Sequence, residues 1–277
     1  MDSLVSTEWL ATRLGDVDLR IVDSSWHMPA SGRSGWDEYL AAHIPGAVFL
    51  DIDAVADKSK PVPHAMPGAA DFGAAMSALG VGREDRIVVY DNSPLRTAAR
   101  GWFMLRHFGA PRVAILDGGL QKWLAEGRPT ESGEPDARPA RFEATEARGA
   151  VITKQQILAG IGAPLLDARG KGRFEGSEPE PRAGIASGHI PGARNLPFGL
   201  LYREDGRFKS VNDLRRLFAE AGIDAERPFG ASCGSGVTAT ALLFAAHLIG
   251  NDRTLLYDGS WSEWGADPAT PKALGPA

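Results

Sequence analysis

The sequence predicts an α/β fold in two tandem domains, each a parallel sheet with helices on both faces. Three observations carry this. Short apolar runs alternate with segments of helical periodicity. A set of landmarks occurs twice in the same order: Ile21-Val-Asp23 and Leu165-Leu-Asp167, His43-Ile-Pro-Gly-Ala47 and His189-Ile-Pro-Gly-Ala193, Thr97-Ala98 and Thr238-Ala239, Asp117-Gly-Gly-Leu-Gln-Lys-Trp123 and Asp258-Gly-Ser-Trp-Ser-Glu-Trp264. Their separations of 144, 146, 141 and 141 positions are too constant for chance and mark two copies of one unit. Between the copies, Pro129 to Gly149 is rich in Pro, Arg and Glu and lacks apolar periodicity, as a linker does. The domains are therefore placed at 1–138 and 150–277, with a linker at 139–149.

In the first copy, Leu19–Asp23, Arg86–Tyr90 and Arg112–Leu116 read as buried strands. Helical patterns cover Trp36–Ala42, Ala70–Leu79, Arg96–Phe108 and Gln121–Glu126. In the second copy, Thr153–Gly160 and Val211–Ala221 read as helices and Arg253–Tyr257 as a short strand. The apolar approach at Phe229 reads as a strand, and Val237–Ile249 as a buried helix. The corners at Asp117 and Asp258 read as turns into helices, capped by carboxylate or hydroxyl. Trp123 and Trp264 are assigned to the core. In parallel sheets ligands bind beyond the carboxyl ends of the strands.

Bulk properties exclude several classes. A net charge of -5 gives nucleic acid no electrostatic footing. No apolar run approaches membrane-spanning length, and the N-terminus lacks the basic and apolar regions of a secretory signal. The six histidines are scattered and the single cysteine has no partner, so neither a metal nor another cofactor is expected. One cysteine also forms no internal disulfide, which points to a reducing, cytoplasmic setting. A monomer is the default.

That cysteine, Cys233, lies in Phe229-Gly-Ala-Ser-Cys-Gly-Ser-Gly-Val-Thr238. Strand, tight glycine loop and helix would place its sulfur over the unpaired N–H groups of Gly234, Ser235, Gly236, Val237 and Thr238, where the helix dipole favours an anion. Thiolate is the reactive form of cysteine. Aligning Thr97 with Thr238 sets Asn92 opposite Cys233, so the first copy is chemically silent. An isolated cysteine before a helix is more often a buried structural residue. The flanking glycines and the missing twin favour a nucleophile.

Tandem copies, paired His-Ile-Pro-Gly-Ala motifs, a silent first loop and Cys-Gly-Ser-Gly-Val-Thr in the second resemble the two-domain rhodanese family of sulfurtransferases, and in the loop its 3-mercaptopyruvate branch. The resemblance runs from about residue 4 to about residue 271. It implies two rhodanese-like domains, with Cys233 taking sulfur from 3-mercaptopyruvate as a persulfide, releasing pyruvate. The sulfur then passes to a thiol acceptor such as thioredoxin or glutathione, or to cyanide. It implies that Arg173 and Arg182 clamp the substrate carboxylate, although charge pattern alone would make them surface residues paired with Glu175, Glu178 or Glu180. Ser235 would bond the substrate carbonyl or pass a proton to the departing enolate. A Ser-His-Asp relay would use His43, with Ser34 where the acid belongs and Asp37 nearby. The twin at His189 instead favours a structural role for both histidines.

Two other enzymes and one inert role compete. A thiosulfate sulfurtransferase would gain from basic residues after the cysteine, where Gly234, Ser235 and Gly236 are neutral. A cysteine phosphatase would need an arginine six residues after the cysteine, where Ala239 stands. A noncatalytic rhodanese-like scaffold would not need the intact loop.

Overall fold

A computed structural model describes residues 1–134, 138–147 and 149–277. Arg148 and residues 135–137, which fall in the region read as linker, lie outside the described residues. The chain divides into two compact units: Met1–Ala56 with Pro67–Ala147 and Arg203–Phe208, and Asp57–Met66 with Arg148–Tyr202 and Lys209–Ala277. Each unit thus includes a short segment from the other half of the sequence, which the repeat does not foreshadow.

The first unit holds β1 (Leu4–Val5), β2 (Leu19–Asp23), β3 (Ala47–Phe49), β4 (Arg86–Tyr90) and β5 (Val113–Leu116). The second holds β6 (Val151–Ile152), β7 (Leu165–Asp167), β8 (Arg194–Asn195), β9 (Phe229–Ser232) and β10 (Thr254–Tyr257). The sheet orders are β1-β5-β4-β2-β3 and β6-β10-β9-β7-β8, the same wiring twice. All pairings are parallel. The α/β class and the duplication are therefore as the sequence predicts.

The strands form where burial demands them. Ile87, Val88, Val89 and Tyr90 are fully buried at the centre of the first sheet, and helices cover both faces, as a parallel sheet requires. Trp123 and Trp264 are buried, each donating its indole N–H to a carbonyl, of Pro129 and Pro271 respectively. Helices follow the corners at Gly119–Ala125 and Ser260–Trp264, but neither Asp117 nor Asp258 caps them. Each carboxylate instead accepts a backbone N–H from its unit's inserted segment: Asp117 Oδ1 from Phe208 at 2.8 Å, Asp258 Oδ2 from Met66 at 2.7 Å.

One difference between the copies has a measurable consequence. Asp167 pairs with Arg169 at 2.7 Å. Its twin Asp23 has Ser25 at the corresponding place and accepts the Ser25 N–H at 2.8 Å. Burial pushes the Asp23 carboxyl up to about 7, against the lowering effect of hydrogen bonds from Ser25 and Tyr90, and Asp91 adds repulsion. The folded value exceeds the unfolded 3.8, so the native state holds the proton more tightly. This stabilisation is complete below the unfolded value and disappears as pH rises through about 7. Asp23→Asn should remove about 2 kcal/mol of the stability loss between pH 5 and pH 8, as measured by denaturant unfolding at both pH values.

Candidate active site

Cys233 follows the carboxyl end of β9, and the buried helix Ala239–Ile249 starts six residues later. The intervening loop is held by the corner after β10. Ser260 Oγ accepts the N–H groups of Cys233 at 3.0 Å and Gly236 at 3.1 Å, and donates to the Tyr257 carbonyl at 2.8 Å. Trp261 N–H donates to the Cys233 carbonyl at 3.0 Å, and Ser262 N–H to that of Gly234 at 2.8 Å. Ser262 Oγ donates to the Gly234 carbonyl too, at 2.6 Å. These bonds hold Ser260 at φ 50°, a left-handed conformation that costs a β-carbon-bearing residue about 1 kcal/mol or more. Gly236 has φ 76°, and a β-carbon there would lie 2.7 Å from the Asp258 carbonyl oxygen, so this turn admits only glycine.

One amide of the expected cradle is already engaged. Gly236 N–H serves Ser260 Oγ, because that hydroxyl lies where the amide points. Among the described residues, the N–H groups of Gly234, Ser235, Val237 and Thr238 donate to no protein acceptor. Clustered amides without acceptors beside a helix N-terminus form a site for negative charge. Val237 is buried, and its carbonyl accepts the Thr240 hydroxyl at 2.6 Å. Thr238 occupies the N-cap position but makes no side-chain cap bond.

Cys233 is only 2% exposed, which departs from the open thiol a nucleophile suggests. Both its N–H and its carbonyl are bonded to the corner at Ser260 and Trp261, which draws the residue down onto that corner. The neighbouring Gly234 is half-buried rather than enclosed.

Both predicted arginines reach this loop. Arg173 lies in the short helix Lys171–Glu175 and Arg182 in the loop beyond it. A β-carbon on Gly234 would lie 3.2 Å from Arg173 Nη2 and 4.0 Å from Arg182 Nη1. Gly234 therefore keeps open the space beneath both guanidinium groups. Arg182 Nη1 also donates to Ser262 Oγ at 3.3 Å.

The surface-pairing alternative is partly realised, since Arg173 does bind Glu180, at 2.6 Å. Glu180 is nonetheless not a surface residue. Its side chain is 5% exposed and it also binds Arg169 at 2.6 Å, which in turn binds Asp167. Burial pushes the Arg169 guanidinium down, but Asp167 and Glu180 outweigh it and hold the group above its ordinary value. Arg169 also lies 4.5 Å over the Trp261 ring, tying the network to the corner that holds the Cys233 loop. Glu180→Ala would leave Arg169 and Arg173 without a shared partner. We expect it to cost about 3 kcal/mol or more in denaturant unfolding, whereas an exposed pair would cost under about 1 kcal/mol.

The histidine beside Ser235 is not the one suggested by the repeated motif. His64 Nδ1 lies 2.8 Å from Ser235 Oγ, and both residues are buried. His64 belongs to the inserted segment Asp57–Met66 of the second unit and has φ 59°, a conformation rare for a residue with a β-carbon. His43, by contrast, donates through Nδ1 to the Tyr39 carbonyl at 2.8 Å and stacks on Tyr39. His189 does the same with Phe174, at 2.9 Å. Both are structural. Ser34 caps the helix Gly35–Ala41 by accepting the Asp37 N–H at 3.2 Å, and it is His64, not His43, that lies beside Ser235.

The first copy's loop is closed by its own side chains. Asn92 donates its N–H to Ser25 Oγ at 2.8 Å and its amide to Glu38 at 2.9 Å. Arg33 grips the same Glu38 with two bonds, of 2.6 and 2.8 Å, and donates to the Asn92 carbonyl. His27 Nε2 lies 3.1 Å from Glu38. An internal carboxylate thus takes the guanidinium here, and no thiol is present.

Comparison with known proteins places these features in context. The profile of the rhodanese-like domain matches residues 6–126 and 152–267. The 3-mercaptopyruvate sulfurtransferase of Homo sapiens is 41% identical over 271 residues, covering 95% of this chain and 91% of that protein. The thiosulfate sulfurtransferase of Bos taurus is also 41% identical, over 272 residues, with the same coverage. The crystal structure of SseA from Escherichia coli, described as a 3-mercaptopyruvate sulfotransferase with a rhodanese fold, superposes with a TM-score of 0.86 at 38% identity, covering 95% of this chain and 100% of that one. No helix among the described residues is long and apolar enough to cross a membrane.

Proposed function

The chain belongs to the family of proteins built from rhodanese-like domains, and from that premise we propose that it is a sulfurtransferase using 3-mercaptopyruvate. The observation that carries the donor assignment is the loop after Cys233. Gly234, Ser235 and Gly236 are uncharged, the N–H groups of Gly234 and Ser235 donate to no protein acceptor among the described residues, and Arg173 and Arg182 lie beside Gly234. Overall identity does not discriminate between donors, since relatives named for either donor are equally similar.

Arg173 and Arg182 hold the donor carboxylate by paired N–H contacts. The Cys233 thiolate attacks the donor sulfur. The new S–S bond forms as the bond from that sulfur to the donor methylene breaks, and the bonding electrons pass into the pyruvate enolate. Ser235 Oγ serves the enolate oxygen. With the bound proton on His64 Nδ1, that nitrogen donates to Ser235 and leaves the serine proton available for the enolate. Protonation at carbon releases pyruvate. The Cys233 persulfide rests against the unpaired amides until a thiol, a thioredoxin-like dithiol or glutathione, takes the outer sulfur. Cyanide serves as acceptor in vitro. Two stages through one covalent intermediate give ping-pong kinetics.

Thiosulfate is the second reading, favoured only by the positive charge of the arginines. Cyanide-dependent thiocyanate formation with each donor decides. We expect kcat/KM for 3-mercaptopyruvate to exceed that for thiosulfate at least about tenfold, a difference of about 1.4 kcal/mol. The reverse order would replace the donor while keeping the persulfide.

A further inference from the structure

We propose that Asp258 is a positioning residue, holding the segment 57–66, and with it His64, in register with Ser235. The inference rests on the functional reading above and adds a residue to it. Asp258 is buried, and its two carboxylate oxygens face different elements. Oδ2 accepts the Met66 N–H at 2.7 Å, two residues beyond His64. Oδ1 would lie 2.9 Å from a β-carbon on Gly236, one residue beyond Ser235. One carboxylate thus faces both the loop that carries Cys233 and Ser235 and the segment that carries His64.

The bond to Asp258 adds a fixture to this segment. It is tied at its base by the Asp57 N–H to the Ala65 carbonyl at 3.0 Å, and Lys60 reaches the Met66 carbonyl at 3.4 Å. Neither bond fixes its distance from the nucleophile loop. Proline and serine surround it in sequence, with no helix or strand to impose a conformation. His64 nevertheless adopts the left-handed conformation, which surroundings must enforce. A hydrogen bond from an amide to a buried carboxylate is strong and directional enough to do so.

The twin corner separates the device from its use. Asp117 accepts the Phe208 N–H in the same manner, at 2.8 Å, and the segment it anchors, Arg203–Phe208, contains no histidine. Docking an inserted segment on this aspartate is therefore a property of the fold. Only at Asp258 does it deliver a group to a thiol loop.

The test is a double-mutant cycle in the full chain, with 3-mercaptopyruvate and cyanide. Asp258→Ala should lower kcat about tenfold or more and leave KM within about twofold, because the arginines are untouched. Asp258→Asn keeps an oxygen acceptor and should recover kcat to within about threefold of wild type. In a Ser235→Ala background, Asp258→Ala should cost less than about twofold further, since its target is gone. Asp117→Ala serves as the control and should leave kcat within about twofold. Equal losses from Asp258→Ala with and without Ser235, or a loss confined to KM, would overturn the proposal. Should Asp258→Ala fail to fold, a tenfold loss of kcat in folded Asp258→Asn overturns it alone, and recovery supports it. Failure of the wild type to take sulfur from 3-mercaptopyruvate would instead defeat the functional reading, and this inference with it.

Discussion

Replacing Cys233 by serine lowers kcat for sulfur transfer at least roughly 10⁴-fold, to background, while the fold persists. The change is nearly isosteric. The bonds that fix the residue run through its N–H to Ser260 and its carbonyl to Trp261, and serine keeps both. What is lost is the chemistry. A hydroxyl in this loop stays protonated near neutral pH and forms no stable bond of the persulfide kind with donor sulfur. Thiocyanate production followed alongside circular dichroism separates the two effects. A folded Cys233→Ser enzyme that turns over at the wild-type rate would show that sulfur travels by another route.

The second large effect is at Arg182. Arg182→Ala should reduce kcat/KM for 3-mercaptopyruvate about 10²-fold, chiefly through KM, because the carboxylate loses a charged two-point contact. Arg182→Lys should recover little of it, since an ammonium cannot present paired planar donors. Arg182 is a cleaner probe than Arg173. Removing Arg173 also breaks its pairing with Glu180, whose other partner is the buried Arg169. Arg173→Ala should therefore show the same loss of kcat/KM plus a fall in stability. The control is a sulfur donor without a carboxylate. Equal losses with that donor would mean that the arginine supports the loop rather than gripping the substrate.

The parts of this molecule that were legible in the sequence are those whose signal is local or repeated. β2 is buried except at Arg20 and β4 except at Arg86, and their bounds match the apolar pattern. β1 and β6 have only two residues each, and β8 is Arg194–Asn195, so no alternation exists to detect. They become strands because a neighbour offers hydrogen bonds, which is tertiary information.

The candidate site divides the same way. Cys233 stood out through its glycine loop and its missing twin. Arg173 and Arg182 stood out through a motif, and both now lie beside Gly234. His64 was invisible because it is 171 positions from Ser235 and lies in an aperiodic loop within the half assigned to the other copy. A missing twin sets it apart from the motif histidines, a property it shares with His27. His43 and His189 are twins, whereas His64 has none, its counterparts at 205 to 210 including no histidine. The Asp117 and Asp258 corners were recognised as repeats, but their partners, the Phe208 and Met66 amides, required the three-dimensional structure.

The central claim is that Cys233 carries the transferred sulfur. The most direct measurement is the intact mass of the protein after brief incubation with 3-mercaptopyruvate, followed by peptide mapping. The account predicts a gain of one sulfur atom on the peptide containing Cys233, removed by a thiol and absent from Cys233→Ser. A wild-type mass that does not change, or the same gain in Cys233→Ser, would contradict it.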